Sequence, residues 1–285
     1  MSRGVLLIAS NNEQIDYIKQ AVFCAKQIKA HLGLDVCLAT DNVKYLETAY
    51  PFYKSYIDQI VELEYYNTSQ IKTYHDGIYA QKKLPWKNHY RVKCYNLTPY
   101  EETIVMDTDF IVNNDVLLNC FDYNEDFLIY KSYKDLNPNR VEHSFEKVSD
   151  RSIDMVWATV FYFKKSKLSE FYFDLVNHIY DNWSYYRLIY QIPNVNFRND
   201  YAFSIAIHIL NGFQRADWPK NLPGNFWTTT DADILYEYKD TSMKFLLENT
   251  QDRGQFYAGK ILDGNVHVMN KFSLNRIIDE VLVNE

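Results

Sequence analysis

Asp107 and Asp109 are the residues of this chain whose types and spacing point most directly to chemistry. They follow the apolar run Thr103 to Met106 and are separated only by Thr108. Positions two apart on an extended chain face the same way, so a strand ending here aims both carboxylates at one point beyond the sheet edge. Such a pair suits a hard divalent cation. Mg²⁺ or Mn²⁺ takes oxygen ligands, keeps coordination positions for phosphate oxygens, and neutralises the charge that develops on a departing diphosphate. The plain alternative is a solvated turn at a strand end.

The elements needed to position these carboxylates can be read around them. Gly4 to Ala9 is a short apolar run, and Ile15, Ile18, Val22, Ala25, Ile28 and Leu32 then fall at helical spacing. Asp35 to Thr40 supplies a second strand, Ile60 to Leu63 a third, and Thr103 to Met106 a fourth. This alternation predicts an α/β fold with a Rossmann-like, mixed but mostly parallel sheet flanked by helices, and function at the C-terminal strand ends. Met155 to Phe163 reads as a continuously buried strand. Leu168, Phe171, Leu175, Ile179 and Trp183 predict a helix after it, and Asp200 to Leu210 another. Pro219, Pro223 and Gly224 mark a loop, with strands near Gln255 to Leu262 and Asn265 to Met269 after it and a helix from Ser273. Without a repeat, low-complexity tract or linker, residues 1–285 are expected to form a single domain. Its two halves are expected to divide near residue 112, into 1–112 and 113–285.

Composition narrows the function classes. Among 285 residues, 30 are Lys or Arg and 37 are Asp or Glu, and the net charge of −7 argues against a general electrostatic grip on nucleic acid. The four cysteines are far apart, which reads as reduced packing residues rather than a disulfide frame or zinc site. No apolar run approaches the roughly 20 residues of a spanning helix, and the N-terminal run is too short for a secretory signal, so a cytoplasmic setting with no membrane partner is expected. Lys outnumbers Arg by 21 to 9, and Asn and Tyr are used 25 times each. That bias suggests an AT-rich genome, such as that of a phage.

Several segments together resemble the GT-A nucleotide-diphosphosugar transferases, within them the glycogenin-like retaining branch. The match is carried by Leu7-Ile8-Ala9-Ser10-Asn11-Asn12, Ala39-Thr40-Asp41, Ile104-Val105-Met106-Asp107-Thr108-Asp109, Val156 to Phe163, Asn199-Asp200-Tyr201-Ala202 and Val266-His267-Val268-Met269-Asn270-Lys271. The resemblance implies that Ala9, Ser10, Asn11, Asn12 and Asp41 meet the nucleoside, and that Asp107 and Thr108 meet the donor. It further implies a metal held by Asp107, Asp109 and His267, two hard oxygen donors with an imidazole as Mn²⁺ tolerates. Lys271 would place its charge on the leaving diphosphate, and Arg91, with Lys93 nearby, would meet the donor phosphates. Asp200 would be a catalytic carboxylate or a sugar-hydroxyl contact, although an Asp at a helix start also serves as an N-cap. Gln14 and Ile15 stand where the family carries its nucleoside-stacking Tyr, which leaves the base open. Trp157, Trp218 and Trp227 are candidate acceptor contacts, Trp86 follows a Leu-Pro turn shortly before Arg91, and most aromatics must be core.

Together these features read as a metal-dependent glycosyltransferase with an Mn²⁺ or Mg²⁺ cofactor and a nucleotide-sugar donor, a UDP-sugar foremost, acting with retention. The acceptor is a glycan, a protein side chain or, given the compositional bias, a hydroxymethylated DNA base. Two alternatives stay open: a phosphatase of the haloacid dehalogenase type with Asp107 as nucleophile, and a non-catalytic nucleotide- or sugar-binding module.

Overall fold

A computed structural model of the chain describes residues 1–140, 146–149, 152–252 and 254–283. In chain order it begins with β1 (Arg3–Ala9), α1 (Tyr17–His31), β2 (Asp35–Thr40), α2 (Val43–Ala49) and β3 (Gln59–Glu62). A hairpin of β4 (Ile71–Asp76) and β5 (Ala80–Pro85) leads through the short α3 (Cys94–Leu97) to β6 (Glu102–Met106) and β7 (Phe110–Ile111). Then come β8 (Phe127–Tyr130), β9 (Lys134–Asp135), β10 (Trp157–Lys164), α4 (Lys167–Asp181), α5 (Trp183–Ile189) and α6 (Asn199–Leu210). Two short strands, β11 (Lys220–Asn221) and β12 (Trp227–Thr228), precede an antiparallel trio of β13 (Ile234–Lys239), β14 (Ser242–Glu248) and β15 (Phe256–Leu262). The chain closes with β16 (Val266–His267) and α7 (Lys271–Val283).

The main sheet has the order β11-β8-β10-β6-β1-β2-β3, in which β10 alone runs against its neighbours. This is the mixed, mostly parallel α/β sheet flanked by helices that the patterning predicts. Strands β1, β6 and β10 are apolar on successive residues because both of their faces are covered. Close packing shows at Gly4, where a Cβ atom would run into the ring of Tyr100. Asp16 opens α1 by accepting from the Lys19 amide at 2.9 Å, and α1 then packs on β1 and β2. All four cysteines are free and buried. Among the described residues no helix is long and apolar enough to cross a membrane.

A second, smaller sheet decides where the chemistry lies. Its order is β7-β16-β12-β9, and its strands are only two residues long. β7 begins right after Asp109 and pairs antiparallel with β16, setting His267 opposite Phe110. The C-terminal strand is thereby delivered to the end of β6.

Strands β8, β13 and β14 are not among those the patterning predicts, and two further departures have a clear physical reason. The helix after β10 buries Tyr172, Phe173, Val176 and Ile179, while Leu168 and Phe171 are 41% and 60% exposed, and Trp183 belongs to the next helix. Two overlapping apolar stripes compete on this helix. The one with the larger rings wins because they reach Phe127 at 4.5 Å and 6.1 Å and Phe203 at 5.8 Å and 6.1 Å between centroids. The hairpin β4–β5 has no counterpart among the strands expected from sequence, since it is mostly polar and only Tyr74 and Leu84 are buried. Accordingly, Phe173→Ala is expected to cost about 3–5 kcal/mol in urea unfolding, and Phe171→Ala less than about 0.5 kcal/mol; equal effects would contradict the assigned phase.

Candidate active site

The end of β6 is tied down by its backbone before any side chain acts. The Asp107 amide donates to the Thr159 carbonyl at 2.9 Å, and the Phe110 amide to the Asp107 carbonyl at 3.1 Å, closing a tight turn over Thr108 and Asp109. The Val268 amide donates to the Asp109 carbonyl at 2.9 Å, locking β16 onto that turn. The result is that Asp107, Asp109 and His267 each offer a ligand atom within 4.8 Å of the other two. His267 Nε2 lies 3.3 Å from Asp109 Oδ2, and its Nδ1 lies 3.3 Å from the Thr228 hydroxyl, which orients the ring. Phe226 stacks behind the imidazole at 5.8 Å.

Both carboxylates are held by cations. Arg91 pairs with Asp107 and donates its other Nη to the Ala158 carbonyl at 2.6 Å; Lys271 pairs with Asp109 and donates to the Met269 carbonyl at 3.2 Å. The Asp109 side chain keeps 5% of its surface and that of Asp107 36%, so the two differ in their access to ligand. Burial works to raise the Asp109 carboxyl, but the Lys271 ammonium and His267 outweigh it and hold the group well below the usual carboxylate range. At Asp107 burial wins: it and the neighbouring Asp109 push the carboxyl upward against the pull of Arg91. A pair of carboxylates with one imidazole, all facing one point, fits a divalent ion that prefers oxygen and accepts nitrogen.

These groups sit in a cleft of about 940 Å³. Of the residues singled out from sequence, Ala9, Ser10, Arg91, Asp107, Thr108 and Asp109 line it from the first half of the chain. Asp200, His267 and Lys271 line it from the second, with Trp86 and Trp157 among the aromatics. Asp200 is not an N-cap: α6 starts at Asn199 behind Arg198, and the Asp200 carboxylate accepts from the Ala158 amide at 2.9 Å and pairs with Arg198 at 2.7 Å.

Asn11, Asn12, Asp41, Lys93, Trp218 and Trp227 do not line the cleft. The Asn11 and Asn12 side chains instead accept from the amides of Ile18 (2.9 Å) and Ile15 (2.8 Å), shaping the turn into α1. Asp41 pairs at 3.0 Å with Lys87, which does face the cleft. Trp218 packs on Phe127 and Tyr172, and Trp227 lies under Lys134.

Sequence reasoning overlooks Lys72, Arg140, Arg198 and Asp231 on the cleft wall. Arg198 stands directly before Asn199-Asp200 and could be found from that neighbour. The others come from segments with no local pattern. Arg140 anchors this wall: it bonds both oxygens of Asp135 at 3.0 Å and both of Asp233 at 3.0 and 2.7 Å. Asp233 in turn accepts from the amides of Thr230 (2.8 Å) and Glu248 (2.9 Å).

No protein-family model matches the chain, and no curated protein does. Among solved structures, it is similar to the glycosyltransferase GlyE of Streptococcus pneumoniae TIGR4, with 12% identity over 74% of this chain and 43% of that one (TM-score 0.42). It is also similar to mouse xyloside xylosyltransferase 1, with 10% identity over 75% and 83% of the two chains (TM-score 0.43). A third is the galactosyltransferase LgtC in complex with donor and acceptor sugar analogues, with 13% identity over 80% and 73% (TM-score 0.43). The chain spans less than half the length of the GlyE chains it matches. Likenesses of this size carry no argument about chemistry, which rests on the site itself.

The wall of the cleft depends on the charges that hold it. Asp233→Ala leaves Arg140 short of one buried partner and two amides without an acceptor, and is expected to destabilise the protein by about 3–5 kcal/mol in denaturant titration; a loss within about 0.5 kcal/mol would show that the network is not structural.

Proposed function

We propose that this chain is a metal-dependent glycosyltransferase of the GT-A type, moving a hexosyl or pentosyl group from a nucleotide-diphosphate donor to an acceptor hydroxyl. The observation that carries the reading is the convergence of Asp107, Asp109 and His267 on one point of a cleft large enough for a nucleotide sugar. Those three residues would hold Mn²⁺ or Mg²⁺. When bound, the ion neutralises charge on the donor diphosphate.

The remaining roles belong to the chain's own side chains. Ala9 and Ser10, at the C-terminal end of β1, line the nucleoside end of the cleft, with Asp41 behind them through Lys87. Asn11 and Asn12 hold the turn that shapes this edge. Arg91 and Lys271, which here neutralise Asp107 and Asp109, would turn toward phosphate oxygens, and Thr108 lines the same cleft and would meet the donor. Asp200, fixed by Arg198 and the Ala158 amide, is the catalytic candidate beside the reacting carbon or the contact to a sugar hydroxyl. In the transfer, the anomeric C–O bond breaks with its electron pair on the phosphate oxygen. The acceptor oxygen bonds the anomeric carbon and its proton leaves to water. Orientation and fixed charge supply most of the rate.

In this reading the donor is a UDP-sugar, transfer retains anomeric configuration, and residues 1–112 serve the donor while 113–285 serve the acceptor. The acceptor is a glycan, a protein side chain or a hydroxymethylated DNA base, with a phage as the source. The buried, unpaired cysteines suit a cytoplasmic setting.

Incubation with Mn²⁺ and a panel of nucleotide sugars is expected to release nucleoside diphosphate from one of them, and chelator should stop it. Asp109→Ala and His267→Ala should each lower the rate by at least about 100-fold with the fold retained by circular dichroism. Release that is indifferent to chelator, or full activity in folded His267→Ala, would refute the assignment; metal-independent release of inorganic phosphate would point to phosphatase chemistry instead.

A further inference from the structure

Six lysine and arginine side chains line the cleft: Lys72, Lys87, Arg91, Arg140, Arg198 and Lys271. Five are balanced by carboxylates of the chain. Lys87 pairs with Asp41, Arg91 with Asp107, Arg140 with Asp135 and Asp233, Arg198 with Asp200, and Lys271 with Asp109. Among the described residues, Lys72 is the exception. Its ammonium has no carboxylate in ion-pair reach and lies instead near the rings of Tyr74 and Trp86, 5.2 and 5.3 Å from their centroids.

This placement is built rather than incidental. Lys72 sits on β4, which is fastened to α7 by Arg276 bonding both oxygens of Asp76 at 2.7 and 2.9 Å. The Tyr74 hydroxyl is bonded to that of Tyr17 at 3.2 Å, which fixes the aromatic wall beside the ammonium. Burial first, then the like charges of Lys271 and Arg198, push the Lys72 amine down to about 8, against the opposing pull of Asp231 and Asp109. An unpaired ammonium held in such surroundings lowers stability unless an anion arrives. The charged groups that act on it, Lys271, Asp231, Arg198 and Asp109, all line the same cleft.

We propose that Lys72, lining the same cleft as Arg91 and Lys271, is a further side chain that meets the negative charge appearing on the diphosphate as the sugar departs. This rests on the transferase reading. Breaking the anomeric C–O bond leaves its electron pair on the terminal phosphate oxygen, so the diphosphate gains one negative charge relative to the intact donor while the acceptor's proton goes to water. Lys72 holds its charge on the cleft wall without giving up a carboxylate partner, whereas the other five cations each have one in this structure. Lys72 therefore favours the leaving group over the bound donor, which is the direction that accelerates transfer.

Titration calorimetry of the full chain with Mn²⁺ and inorganic pyrophosphate tests this without knowledge of the base or sugar. Lys72→Met should weaken pyrophosphate binding about tenfold or more. Lys72→Arg should keep most of the affinity, and Lys83→Met, an exposed charge on the same hairpin, should keep all of it. With the nucleotide selected by the donor panel, Lys72→Met should weaken the nucleoside diphosphate more than the nucleotide sugar. The melting temperature of Lys72→Met should equal or exceed that of the wild type, because a partly desolvated, unpaired charge is removed. Unchanged pyrophosphate affinity in folded Lys72→Met, or equal losses for diphosphate and sugar diphosphate, would overturn the proposal and leave the transferase reading standing. Failure of the wild type to bind pyrophosphate with Mn²⁺ would overturn both.

Discussion

Carboxylate charge buried at the end of β6 has to be compensated, and much of the architecture around the cleft exists to do so. Removing a carboxylate from water costs several kcal/mol unless partners replace the lost hydration. Asp109 is nearly inaccessible, and its partners come from the far end of the chain: His267 on β16 and Lys271 at the start of α7. Neither residue could reach it without the small sheet. Pairing of β7 with β16, and of β16 with β12, carries the C-terminal segment across to the turn after β6. The folding of that segment and the electrostatics of the site are thus one problem.

The pairings found at the site also bear on how a ligand would be received. Arg91 and Lys271 satisfy the two aspartates, and both face the cleft. A divalent ion taking the carboxylates would free two cations on the same wall, so an anion entering with the ion would meet positive charge already in place. Asp107, with over a third of its side chain exposed, is the more readily exchanged partner, whereas Asp109 is held by two groups at once. The Arg140 network differs in kind. Both oxygens of both its aspartates are engaged, and two backbone amides depend on Asp233, so it holds the cleft wall rather than exchanging partners.

What can be read from sequence depends on how local each signal is. The strands β1, β2, β6 and β10 are legible because burial on both faces demands unbroken apolar runs. The two aspartates are legible because a strand ending in paired carboxylates is a local pattern. His267 and Lys271 become legible through their resemblance to a known arrangement. The phase of α4 is not, because Leu168 and Phe171 are as apolar as the residues beside them and only the aromatic cluster beneath the helix decides between the stripes. The hairpin β4–β5 is not, because its strands carry Lys72, His75, Asp76, Lys82 and Lys83. Its contribution to the cleft is set by contacts with α7, where Arg276 lies 200 residues beyond Asp76. The Asn11 and Asn12 side chains organise a turn into α1, a role for which these residue types are as well suited as for ligand contact.

The most direct test of the account is the position of a divalent ion. Crystals of the protein soaked in Mn²⁺ and measured at a wavelength where manganese scatters anomalously should show one strong peak coordinated by Asp107, Asp109 and His267, with Arg91 and Lys271 displaced from the carboxylates. An anomalous map in which those three side chains hold no ion at saturating Mn²⁺, with both ion pairs intact, would contradict it.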